Sequence, residues 1–177
     1  LEHTFGCPGQ GSNILKGYEE MGEISPKLSR KLAITEGNRQ TFLLGSFMTQ
    51  LLNPSRWTVY PGFHSSCGPE GELLAEWAQK EWNKQPHVGE NPVQLAVEAE
   101  NHGETAVQAL EAVTGVTKNA AEFARLLNDA RACRAFARFM NAKVKAAVLV
   151  LRYSYSNDLN DLEKARPYLV ASLEHYK

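Results

Sequence analysis

Between Ala120 and Tyr155 the apolar positions alternate in threes and fours: Phe123, Leu126, Ala130, Cys133, Ala137, Met140, Val144, Ala147, Leu151 and Tyr155. That spacing draws one stripe along an α-helix, whereas a strand would alternate in twos. No glycine or proline interrupts the stretch. At about 1.5 Å per residue it predicts a helix roughly 50 Å long, a spine for several shorter ones.

The rest of the chain reads as helices separated by turn signals. Gly6, Pro8, Gly9 and Gly11 form a loop leading into a helix near Asn13, with Ile14, Leu15, Tyr18 and Met21 on one side and an end around Gly22. Ser25 and Pro26 then read as the cap and first residue of a short helix through Ala33. Asn38 opens the next helix, apolar nearly all round, and Pro54 closes it. Residues 53–69 have three prolines and no sustained period, which predicts a long ordered loop, a feature often tied to function. A helix from about Glu70 to Lys84 should turn Leu73, Leu74, Trp77 and Ala78 inward and Glu72, Gln79 and Lys80 outward. Asn91, Pro92 and Gln94 are an N-terminal capping signature. The helix behind them carries a seam of Leu95, Ala99, His102, Ala106, Leu110 and Val113 up to Gly115, and its short turn predicts antiparallel packing on the long helix. A last helix, from about Asp158 through Tyr176, should bury Leu162, Ala165, Leu169 and Leu173 and kink at Pro167. The fold class expected is all-α: an irregular bundle of about six to seven helices built on the long helix over residues 120–155, in a single domain spanning residues 1–177.

Composition narrows the function classes. The 19 basic and 20 acidic residues nearly cancel, so no long-range field gathers nucleic acid or an anionic membrane. The longest uncharged apolar run, Ala146–Leu151, is far short of the roughly 20 residues that cross a bilayer, so membrane insertion is not expected. The start at Leu1 and the stop at Lys177 within a helical pattern predict a piece excised from a longer multidomain protein. Cys7, Cys67 and Cys133 allow one disulfide at most, and Cys133 on the stripe reads as a small buried hydrophobe.

Candidate chemistry is sparse. The glycines before the first helix lack the preceding strand and lysine of a phosphate loop, so a plain turn is the better reading and no cofactor is expected. His3, Cys7, His64 and Cys67 are metal-capable but match no strong zinc spacing, so no metal is expected. Glu19, Glu20 and Glu36 are the carboxylates from which a glycoside-cleaving pair could be drawn, although adjacent glutamates on an amphipathic helix more commonly form a solvated face. Trp57, Tyr60 and Phe63 could stack on sugar rings or pin their loop to the helices. Thr35, Glu36, Gly37, Asn38, Arg39 and Gln40 form the strongest polar cluster. Arg39 there could grip a carboxylate, phosphate or sugar hydroxyls, or close an internal ion pair with Glu19, Glu20 or Glu36.

Three runs carry a resemblance: GYEEMGEISPKLSRKLAITEGNRQTFLLGSFMTQLLNP, PHVGENPVQLA and KAAVLVLRYSYSNDLNDLEKARPYLVASLEHY. Together they resemble a helical module of large multidomain proteins of glycan-degrading bacteria, where it accompanies carbohydrate-active and carbohydrate-binding domains. The resemblance implies a glycan context and a periplasmic or extracellular address. It makes Tyr18, Glu19, Asn38, Arg39 and Gln40 the positions to test first. The expected function is a helical accessory module that packs beside a catalytic domain of the same parent chain and lends residues to its substrate cleft. The substrate-binding set is Tyr18, Asn38, Arg39, Gln40, Trp57 and Tyr60, with a carbohydrate as ligand. Two other readings stay open: a stand-alone glycoside-cleaving enzyme using a pair among Glu19, Glu20 and Glu36, and a helical scaffold for protein partners.

Overall fold

A computed structural model describes residues 1–32 and 71–176, with the side chains of 29–32 excepted. All regular structure among the described residues is helical: α1 (Glu2–Phe5), α2 (Gly11–Leu32), α3 (Leu74–Asn83), α4 (Pro92–Glu111), α5 (Ala120–Ser156) and α6 (Leu159–Tyr176). The helix expected from Asn38 and the loop over 53–69 lie outside the described residues.

The spine is α5, with 37 residues, about 55 Å at the α-helical rise. Along its stripe Ala130, Ala137, Met140, Val144 and Ala147 are wholly buried, and Leu126 and Leu151 nearly so. Helix α4 packs antiparallel to it, since Glu111 meets Arg131, Glu104 meets Arg138 and Glu100 meets Asn141. At Gly103 the two backbones come so close that an added Cβ would lie 2.8 Å from the Cα of Arg134. The N-terminus of α4 follows its capping signature: the Asn91 side-chain oxygen accepts from the amides of Val93 (3.0 Å) and Gln94 (3.1 Å). The Gln94 side chain donates to Glu98 at 2.8 Å instead of returning to the cap.

Two expected boundaries are corrected. Helix α2 does not stop at Gly22 and restart at Pro26; it is continuous over 22 residues with Pro26 inside. The reason is the inner face. Ile14, Gly17, Ile24 and Leu28 are buried and Met21 partly so, in one unbroken run of threes and fours against α4. That burial outweighs the hydrogen bond lost at the exposed proline. Leu15 and Tyr18, expected on this face, are exposed. Helix α6 is also rotated from expectation: Asp161, Ala165 and Ser172 are buried against the bundle, while Leu173 is 61% exposed. Its small residues let α6 lie close to α5, and the tight turn sets the rotation. Ser156 Oγ accepts from the Asp158 amide (3.0 Å) and donates to Asp161 (2.7 Å), with Asn157 in the left-handed conformation between the helices.

The core has two levels. One gathers Phe5, Cys7 and Ile14 with Val107, Leu110, Leu126 and Ala130. The other joins Ile24 and Leu28 of α2, Leu74 and Ala78 of α3, Ala96 and Ala99 of α4, and Ala137 through Leu151 of α5. Helix α3 thus lies on the second half of the spine.

Candidate functional site

Of the residues singled out in the sequence, Glu36, Asn38, Arg39, Gln40, Trp57 and Tyr60 lie outside the described residues, as do His64 and Cys67. Tyr18, Glu19 and Glu20 lie on α2, where Tyr18 and Glu19 are exposed. Glu20 points to α4, its Oε2 2.6 Å from His102 Nδ1. Consecutive helical positions do not face each other, so Glu19 and Glu20 diverge. The glycine loop is internally bonded. Glu2 Oε1 accepts from the Gly11 amide at 2.9 Å, and Gly6, at φ +62°, presents its carbonyl to the Thr117 hydroxyl at 2.8 Å. Cys7 is buried beneath it as a free thiol. No group of metal-ligating side chains occurs among the described residues.

A denser constellation is built around α3. Gly71 has φ +93°, and a Cβ there would meet the backbone nitrogen of Glu90 at 2.3 Å, so only glycine lets the two segments run this close. The Glu72 amide then donates to the Glu90 carbonyl (3.2 Å), which turns the Glu72 side chain inward. Glu72 is 3% exposed, against the outward position expected of it. Its burial is tolerated because its oxygens are saturated: Oε1 accepts from Lys80 Nζ (2.6 Å) and the Val88 amide (2.9 Å), and Oε2 lies 2.6 Å from His87 Nδ1. Desolvation pushes this carboxyl's pKa up, but the bonds from Lys80, His87 and Val88 outweigh it and hold the pKa at about 2.

His87 is held on both sides. Its Nε2 lies 2.7 Å from Glu81 Oε1, and its ring stacks on Trp77 with centroids 5.3 Å apart and planes at 16°. Two carboxylates, one at each ring nitrogen, favour the doubly protonated imidazolium and raise the pKa of His87, Glu72 contributing most and Glu81 next. The segment from Gln85 to Glu90 is thereby tied to α3 by a line of alternating charge, Lys80, Glu72, His87 and Glu81.

Next to this cluster, between α3 and α5, lies a cleft of about 390 Å³ whose lining includes Trp77, Glu81, Trp82, Lys84, Val148 and Arg152. Trp82 is 46% exposed yet held in place: its ring stacks on Tyr155 of α5 with centroids 6.0 Å apart and planes at 21°. Lys84 ends α3 in the left-handed conformation, and Arg152 reaches Asp161 through Nε at 3.4 Å. The three nearby carboxylates are engaged, Glu72 fully, Glu81 by His87 and Asp161 by Arg152 and Ser156. The cleft is therefore furnished for binding through aromatic surface and cations. Sequence reading turned Trp77 inward and passed over Trp82. The available signal was their separation of five, which places them on different sides of one helix, so that one large indole is left facing solvent.

No protein-family model and no curated protein matches this chain. A solved structure of a GH138 enzyme targeting pectin rhamnogalacturonan II does, with 47% sequence identity over 99% of this chain and a TM-score of 0.88. The chain spans 26% of that enzyme's length. Along nearly its whole length it is thus similar to one region of a larger carbohydrate-active protein. No helix of the described residues is long and apolar enough to cross a membrane.

Proposed function

We propose that this chain is the helical module of an extracytoplasmic glycan-processing protein, packed beside a catalytic domain of the same parent and supporting its action on a pectic glycan. The observation that carries this reading is the proportion of the match: 99% of this chain against 26% of an enzyme targeting pectin rhamnogalacturonan II. A similarity that exhausts one chain and a quarter of the other is what a module shared between large proteins produces. The local architecture agrees. The described residues supply a rigid spine and a cleft furnished for binding, whereas Glu19 and Glu20 diverge on their helix. Within this reading Tyr18 and Glu19, exposed on α2, would be lent to a neighbour's substrate cleft, as would Asn38, Arg39 and Gln40, which lie outside the described residues.

The test is removal of residues 1–177 from the parent chain. The expected result is a lower melting temperature of the remaining domains together with slower release of sugar from rhamnogalacturonan II. Unchanged stability and turnover would overturn the proposal. So would release of sugar by the 177-residue chain alone, abolished by Glu19→Gln or Glu36→Gln, which would make it a glycoside-cleaving enzyme in its own right.

A further inference from the structure

We infer that the cleft between α3 and α5 is a saccharide subsite for a carboxylated sugar residue, with Trp82 as the stacking platform and Lys84 and Arg152 as the acid-recognising pair. The inference rests on the glycan reading above and gives it a place on the surface and a ligand chemistry.

Three features of the cleft converge. The first is the platform. A solvent-facing indole is costly to leave uncovered, and a mobile one loses entropy when a ligand orders it. Trp82 avoids the second penalty because Tyr155 backs its ring, while the residue stays 46% exposed and lines the cleft. The C–H face of a pyranose is apolar and slightly electropositive, and it suits the negative face of such a ring. The second feature is size: about 390 Å³ falls at the lower end of the range of roughly 300–1,000 Å³ typical of small-ligand sites, enough for one or two sugar residues.

The third is charge. Three ionic groups line the cleft, and they are not equally available. Glu81 is held by His87 at 2.7 Å, so its charge is offset from outside the cleft. Arg152 spends only Nε on Asp161, and its side chain is 62% exposed, which leaves its terminal N–H groups able to reach a ligand. Lys84 is exposed, and no carboxylate among the described residues pairs with it. The cleft therefore offers two cations at the rim of an aromatic floor. A planar guanidinium and a mobile ammonium flanking a stacked ring match a sugar bearing a carboxylate better than one bearing only hydroxyls.

The experiment is a titration of the 177-residue chain, followed by tryptophan fluorescence and calorimetry, with tetragalacturonate as the acidic probe and maltotetraose as the neutral one. Tetragalacturonate should bind at least about tenfold more tightly than maltotetraose, and raising the salt concentration should weaken the acidic probe alone. Trp82→Ala should reduce tetragalacturonate affinity by about tenfold or more. The double change Lys84→Ala with Arg152→Ala should bring the acidic probe down to the level of the neutral one. All three side chains are exposed, so thermal unfolding should confirm that each variant remains folded. Equal binding of the two probes, no binding of either, or indifference to Trp82→Ala would overturn the proposal. Binding by the isolated chain that vanishes in the parent would overturn it as well, because the cleft would then be covered by a neighbouring domain. The two readings fail separately. If removing residues 1–177 still slows the parent while the cleft binds nothing, the subsite falls and the module stands. If the chain binds tetragalacturonate but its removal changes nothing, the module's supporting role falls and the subsite stands.

Discussion

At the Phe5 end of the bundle, irregular chain is held against the helices by apolar contact and backbone hydrogen bonds. Phe5 and Phe123 meet edge to face at 5.5 Å, and the Phe5 carbonyl accepts from the amides of Thr117 (3.1 Å) and Lys118 (3.0 Å). At the Glu72 end the same task, pinning residues 85–90 to α3, falls to a buried carboxylate with a lysine, a histidine and an amide around it. Both solutions satisfy the groups that do the pinning, the Phe5 carbonyl at one end and the Glu72 carboxylate at the other, but they differ in what can disturb them. Apolar burial and neutral hydrogen bonds respond little to pH or salt, whereas a charged cluster responds to both. The responsive end is also the one that flanks the cleft, through Glu81 and Trp77, so rigidity there depends on an ionisation state.

The largest expected effect lies at the apolar end. Leu110 is wholly buried and sits over Gly17, and Leu110→Ala should lower unfolding free energy by about 3 kcal/mol, by the same amount at pH 5 and pH 8. Chemical denaturation at the two pH values checks this, and a strongly pH-dependent loss would erase the contrast between the ends. Glu72→Ala should cost somewhat less, about 2–3 kcal/mol. It strands the Val88 amide, but Lys80 and His87 are partly exposed and can turn to water.

The pH profile then separates the ends by sign. Glu72 titrates at about 2 when folded, against its ordinary 4.5. Its contribution is therefore complete above pH 4.5 and is lost as the pH falls toward 2. The pKa of His87 is raised above its ordinary 6.5, so its contribution is complete below that value and is lost as the pH rises through the raised one. Stability of the unmodified chain should decline on both flanks, and Glu72→Gln should flatten the acidic flank and weaken the alkaline one. An acidic flank unchanged by Glu72→Gln would place its origin elsewhere.

Smaller effects refine the picture. Gly6→Ala places a methyl 2.3 Å from Thr117 Oγ1 at a positive φ, and should cost about 1–2 kcal/mol independently of pH. Between the two ends, Glu20→Gln removes the carboxylate charge from a contact to His102 in which both side chains are about a quarter exposed, and should cost under about 1 kcal/mol. A melting curve for each variant suffices.

The fold is most legible in the sequence where structure is local. The stripe from Phe123 to Tyr155 predicted α5 to within a residue at its C-terminal end, because a helix with no glycine or proline and one apolar face has little choice. The cap at Asn91 was legible for the same reason, all of its partners lying within three residues. The candidate site was hardly legible. Glu72 looks like a solvated helix residue, since its partners, apart from Lys80, stand 15 and 16 positions away and meet it only when Gly71 brings the chain alongside Glu90. The platform at Trp82 needs Tyr155, which belongs to a different helix.

The sequence by itself determined that this protein is helical, where its spine runs, and which of its segments are held by caps and turns. These follow from spacings of three and four residues and from hydrogen bonds that close within a turn. Tertiary structure alone decided that α2 runs through Pro26, that α6 turns Ser172 inward and Leu173 outward, and that a glutamate is buried beside a cleft with two indoles in its lining. Each of those depends on a partner far along the chain, whose burial or charge outweighs the local preference and is unknown until the helices meet.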